Sequence, residues 1–144
     1  MRTFLVDNSV IQRLRHPTVR EAWDHLLLEG EIATCLPTAL EAGYSARNRE
    51  DHARLLAFER RAKIVLLPAP EMFDLCLQLQ EALFAVGRGR AVGVSDLQIA
   101  ATALHHSTAA APITIVHYDS DYDHLAQVWP ALDARWIVPR GTVD

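Results

Sequence analysis

The chain has 144 residues, half of them apolar and 22% charged, with a formal net charge of −4. That length supports one domain with a full core, and the negative balance argues against a generally basic nucleic-acid binder. No apolar run approaches the ~20 residues of a membrane-spanning helix, and acidity arrives at Asp7, too early for a secretory signal.

Residues 3–6 (Thr-Phe-Leu-Val) read as a first buried strand, closed by Asp7-Asn8-Ser9. A helical segment over 9–14 follows. A longer helix then starts at Pro17 and carries Trp23, Leu26 and Leu27 to Gly30, read as a C′ stop. Residues 32–35 form a weaker strand. Pro37-Thr38 opens a helix with Leu40, Glu41 and Tyr44, and Glu50 begins another with Leu55, Leu56 and Phe58. Residues 64–67 are a third strand, stopped by Pro68-Ala69-Pro70.

Met72, Leu75, Cys76, Leu79, Leu83 and Phe84 recur at helical spacing and read as core, until Gly87-Arg88-Gly89-Arg90 breaks the helix. Ser95 then reads as an N-cap, with Gln98 completing a Ser-x-x-Gln capping box and Leu97, Ile99, Ala100, Ala103 and Leu104 forming an apolar face. Residues 113–116 are a fourth strand, ending in His117-Tyr118-Asp119-Ser120-Asp121-Tyr122-Asp123. A short helix through Leu125, Ala126 and Val128 leads to a last strand at 136–138. Short apolar strands alternating with helices predict an α/β fold: a mainly parallel sheet of about five strands with helices on both faces. Cys35 and Cys76 lie in apolar contexts without metal-ligand spacing, as buried thiols do in a reducing compartment, so the expected location is the cytoplasm.

In such a sheet, ligands bind outside the carboxyl ends of the strands. Asp7 follows the first strand, Asp119 and Asp121 follow the fourth, Asp96 opens a helix, and Glu41 lies in the first turn after the second strand. Each has a local explanation: Asp7 as a cap, Glu41 closing a Thr38-x-x-Glu41 box, Asp96 complementing a helix dipole. Their shared edge is harder to explain locally. Two carboxylates ~5 Å apart repel by roughly 3 kcal/mol at an effective dielectric of about 20. A cluster of four therefore calls for a counterion, and hard divalent cations such as Mg²⁺ or Mn²⁺ prefer oxygen ligands. Asp119-x-Asp121-x-Asp123 is no EF-hand, because His124 stands at the glycine position and Pro130 at the glutamate position.

These residues carry a family resemblance. Asp7-Asn8-Ser9 after a strand, Glu41 in Leu40-Glu41-Ala42-Gly43, Ser95-Asp96-Leu97-Gln98-Ile99-Ala100-Ala101, and His117-Tyr118-Asp119-Ser120-Asp121-Tyr122 resemble the acidic motifs of PIN-domain ribonucleases. The whole is most similar to the VapC toxins of bacterial toxin–antitoxin pairs. The resemblance implies a three-layer α/β/α fold over residues 1–144 as a single PIN-like nuclease domain. It implies RNA cleavage dependent on Mg²⁺ or Mn²⁺, with a water activated by the ion. It assigns Asp7, Glu41, Asp96 and Asp119 as the catalytic acids and Asp7, Asp96, Asp119 and Asp121 as metal ligands. Ser9, Ser95 and His117 then support them; Asn8 and His117 stand where many relatives carry Thr. A homodimer, a small VapB-like antitoxin and an RNA substrate are the implied partners, with no membrane.

Lys63 is the sole lysine among fourteen basic residues. Arginine clusters can grip phosphates even on an acidic protein, and Arg47, Arg49, Arg88 and Arg90 are the candidates for RNA contacts. An aspartyl-phosphate enzyme would want an acid where Ser9 stands, and a receiver would want a strand-end lysine, which Lys63 is not. A non-catalytic PIN-like module binding RNA or a partner is the other alternative; its sign would be a missing acid, and none is missing.

Overall fold

The computed structural model describes residues 2–61 and 63–144. Five strands, β1 (Arg2–Val6), β2 (Gly30–Cys35), β3 (Ile64–Leu66), β4 (Ile113–His117) and β5 (Ala134–Trp136), form one sheet in the order β3-β2-β1-β4-β5. Every pairing is parallel. The expected fold class holds: among the described residues, seven helices cover the sheet on two sides.

The sheet is assembled by alternation in β1. Leu5 turns to one face, packing with α5 (Met72–Ala85), α6 (Val94–His106) and α7 (Asp121–Val128). Phe4 and Val6 turn to the other, against Val10 of α1 (Asn8–Ile11) and Val19, Trp23 and Leu26 of α2 (Pro17–Glu29). Strands buried on both faces need continuous apolar runs, which is why these read as runs rather than as polar–apolar alternation. Two further helices, α3 (Leu36–Tyr44) and α4 (Arg49–Arg61), lie along the β2–β3 side. Among the described residues no helix is long and apolar enough to cross a membrane.

Four local expectations are corrected. Gly30 is no left-handed helix cap: its backbone is extended (φ −175°) and starts β2 opposite Arg2. Glycine is required there by proximity, since an added Cβ would lie 2.1 Å from the Arg2 carbonyl oxygen. The first helix is shorter than expected, because Arg13 N–H and Leu14 N–H bond three residues back and tighten the chain into turns. The last strand sits at Ala134–Trp136; Ile137 and Val138 are buried beyond it, in the Phe4–Val6 cluster. Cys35 is buried as expected, whereas Cys76 is only half-buried.

The chain turns from one half of the sheet to the other between β1 and β4. That reversal opens a crevice at their carboxyl ends.

Candidate active site

Asp7 leaves β1 into this crevice and serves as N-cap of α1. Its Oδ2 accepts the Ser9 N–H (3.0 Å) and the Ser9 hydroxyl (2.5 Å). Ser9 Oγ in turn accepts the Tyr118 N–H at 2.9 Å, which ties the end of β1 to the end of β4. The capping role proposed for Asp7 is thus real, yet it occupies only one carboxylate oxygen. The other accepts the Tyr122 hydroxyl at 2.8 Å.

Glu41 has no capping role. Thr38 Oγ1 takes the Cys35 N–H at 3.1 Å, closing the start of α3 without it. Glu41 Oε1 is instead buried with no hydrogen-bond partner among the described residues. Burial pushes its carboxyl up from the ordinary range, and Asp7 and Asp119 add to the push while the Ser95 hydroxyl opposes it.

Ser95 is corrected too. Helix α6 begins at Val94 with Gly93 at its N-cap, so Ser95 lies inside the first turn and the Ser-x-x-Gln box does not form. Gln98 Nε2 donates to the Val94 carbonyl instead. The shift brings Asp96 to the crevice, where burial raises its pKa to about 8, helped by a hydrogen bond with Asp121 and the charges of Asp7, Asp119 and Asp121.

Asp119 lies past β4, in a turn where its Oδ1 accepts the Asp121 N–H (3.0 Å) and its own N–H donates to His117 Nδ1 (3.2 Å). Burial raises the Asp119 carboxyl, and the Asp121 and Asp7 charges add to it, offset in part by the Asp121 N–H and then by the Arg13 guanidinium. His117 is fully buried between Tyr122 and Trp136, and burial lowers its pKa to about 4. Burial thus favours the neutral ring, whose Nδ1 accepts the Asp119 N–H.

The acids form two overlapping groups, Asp7–Glu41–Asp96 and Asp96–Asp119–Asp121. Within each group one ligand atom per residue lies within 4.8 Å of the others. Asp7, Ser9, Glu41, Ser95, Asp96 and Asp119 line an open cleft of about 380 Å³. The donor set is all carboxylate, and its orphaned Glu41 oxygen has a vacant lone pair beside two other acids. Both features fit a hard divalent cation.

None of the four candidate arginines lines that cleft. Arg47 pairs with Asp51 at the start of α4, Arg49 and Arg90 are exposed, and Arg88 is bonded to His124 and Gln127 of α7. Two participants escaped the sequence reading. Tyr122, quoted only as part of a motif, reaches Asp7 and also Asp96 Oδ1 (3.2 Å). Arg13, one of a cluster of basic residues, bonds to the Ser9 carbonyl (2.8 Å) and stacks on Tyr118. A buried-facing tyrosine inside an acid-rich turn was the available signal for the first; nothing in the sequence marked the second.

A family model described as the PIN domain matches residues 4–128. Ribonuclease VapC21 of Mycobacterium tuberculosis is 36% identical over 139 residues, covering 96% of each chain. Ribonuclease VapC51 of the same organism is 37% identical over 142 residues, covering 98% of this chain and 97% of the relative. Among solved structures, VapBC2 from Rickettsia felis bound to a promoter DNA fragment superposes with a TM-score of 0.72 at 16% identity, covering 93% of this chain and 98% of that one. VapBC-1 from nontypeable Haemophilus influenzae gives the same TM-score and identity, covering 94% and 98%.

Proposed function

The chain belongs to the PIN-domain family, and from that premise we propose that it is a divalent-metal-dependent endoribonuclease, the toxin of a toxin–antitoxin pair, formed as a single PIN-like domain over residues 1–144. Near-full-length relatives named ribonucleases support nuclease activity, and neighbours of the same fold solved as VapBC complexes support a toxin–antitoxin context. The observation that carries the finer reading is the convergence of acids from positions 7, 41, 96 and 119 on one crevice, with a Glu41 oxygen left unpartnered.

Asp7, Asp96, Asp119 and Asp121 would hold Mg²⁺ or Mn²⁺, with Glu41 completing the catalytic set. When bound, such an ion supplies positive charge against the phosphodiester oxygens and acidifies water. The chain's own residues do the rest. Ser9 fixes the Asp7 carboxylate through two hydrogen bonds, and His117 and Asp121 hold the Asp119 turn. Asp96, with its raised pKa, is the acid most able to carry a proton at neutral pH before a cation arrives. Ser95 supports Glu41 from the first turn of α6. Arg49 and Arg90 are exposed and able to contact RNA phosphates outside the cleft, whereas Arg47 can do so only by leaving Asp51 and Arg88 only by leaving α7.

The partner reading draws on a separate feature. An apolar groove of about 770 Å³ lies between α3, α4 and β3, and Leu36, Leu40, Tyr44, Val65 and Leu67 around it are at least half exposed or nearly so. Such a surface suits a protein partner, an antitoxin or a second copy of the chain.

The test uses Asp96→Asn, which removes one ligand charge and one repulsion together. A ligand binding only the native state at a hundredfold excess over Kd stabilises by about 2.7 kcal/mol. The wild type should show that response to Mn²⁺ in melting curves and should cut RNA. Asp96→Asn should melt at least as high without metal, respond little to Mn²⁺, and fail to cleave. An unchanged Mn²⁺ response with intact cleavage would sink the assignment.

A further inference from the structure

Tyr122 has no exposed surface, and it stands in the first turn of α7 with its ring 4.7 Å from the His117 ring. Packing of that kind fixes where the hydroxyl goes. It goes between two acids on different elements: Asp7 Oδ1 of the α1 cap at 2.8 Å and Asp96 Oδ1 of α6 at 3.2 Å. Asp7 Oδ2 is already committed to Ser9, so the tyrosine controls the oxygen that remains. A phenol has one hydrogen to donate. It can satisfy one of the two carboxylates and leaves the other short of a donor, a deficit that a cation would fill.

We propose that Tyr122 is a positioning residue of the metal site, its hydroxyl setting the separation of Asp7 and Asp96 so that both present oxygens to one ion. The inference rests on the reading that these acids hold a divalent cation. It adds a residue whose aromatic ring belongs to the core and whose oxygen belongs to the site. Phenylalanine would serve the core equally well; only the hydroxyl spans the acids.

Removing such an outer partner of metal ligands lowers metal affinity by about 10- to 100-fold. Tyr122→Phe in the full chain should therefore bind Mn²⁺ 10- to 100-fold more weakly, counted from the electron paramagnetic resonance signal of free Mn²⁺. RNA cleavage should recover toward the wild-type rate when Mn²⁺ is raised to saturation, so the defect falls on the apparent metal constant and not on kcat. Affinity within twofold of wild type in a folded Tyr122→Phe overturns the proposal. If that variant does not fold, the wild type decides: the Tyr122 hydroxyl proton resonance should shift with Mg²⁺ occupancy, and a resonance unmoved at full occupancy overturns the proposal equally. A wild type that binds no Mn²⁺ at all removes the metal site itself, and this inference with it.

Discussion

Two residues of the crevice are shifted far from their ordinary ranges in opposite senses, and both contribute to how the metal-free protein responds to pH. Asp96 is raised to about 8 in the fold, against ~3.9 unfolded, so its contribution to stability is present at low pH and is lost as pH rises toward 8. His117 is lowered to about 4, against ~6.5 unfolded, so its contribution is present above ~6.5 and is lost as pH falls toward 4. The two oppose each other in the acid range. Above ~6.5 only the carboxyl effect continues, and stability should fall up to pH 8 by ~1 kcal/mol once partial exposure is allowed for, about 3 °C in Tm. Melting curves in EDTA between pH 6.5 and 8 check this; Asp96→Asn should flatten the decline. Asp7, Glu41, Asp96 and Asp119 could be picked out in the sequence because each sits beside a strand end or a helix start. Tyr122 stood in the acid-rich motif after β4, but its role depends on α7 meeting the Asp7 cap, 115 residues away in the chain, and Asp96 of α6.

At the scale of elements, an ion pair at the end of α4 departs from what its spacing suggests. Glu59 and Lys63 stand four apart, the spacing of an ordinary solvated pair. In the fold they are buried, joined at 2.7 Å, with Thr34 Oγ1 of β2 donating to the other Glu59 oxygen at 2.6 Å. Burial lowers the Lys63 pKa, while Glu59 pulls it back. Glu59 is the sole buried residue within α4 among those described, so this pair fastens a polar helix to the sheet. Lys63→Met should cost ~3–5 kcal/mol by stranding the Glu59 charge, whereas Glu59→Leu with Lys63→Met should return close to wild-type stability. Urea midpoints distinguish the two outcomes. Helix and strand periods identified nearly every element correctly. The errors fell at element ends: α6 is capped at Gly93 rather than Ser95, and at Gly30 a close strand approach rather than left-handed backbone calls for glycine.

For the molecule as a whole, the parallel sheet with helices on both faces was legible because buried strands and intervening helices leave distinct patterns. The surface was not. Nothing in the helix and strand patterns marked the apolar residues at 36, 40, 44, 65 and 67 as exposed, yet they remain open around the α3–α4–β3 groove. If that face binds a second copy, light scattering behind size exclusion should give twice the chain mass at micromolar concentration. Leu67→Glu, at a side chain 66% exposed, should then return the mass to one chain with Tm unchanged. A single-chain mass for the wild type would assign the groove to another partner or to none.

The order of the strands also governs when the site can exist during synthesis. β1 is the first of the five strands to emerge but lies at the centre, and its second neighbour, β4, is made only after β2, β3 and six helices. Until residues 113–122 arrive, Asp7 lacks the Tyr122 hydroxyl, and Ser9 lacks the Tyr118 N–H that anchors it. Pairing β4 with β1 closes a long loop, a contact of the kind that slows folding. A ribosome making this protein therefore carries an incomplete cleft for most of its passage along the message. Chains cut short before β4 should be unable to cleave RNA, because neither Asp119 nor the Tyr122 hydroxyl is yet present.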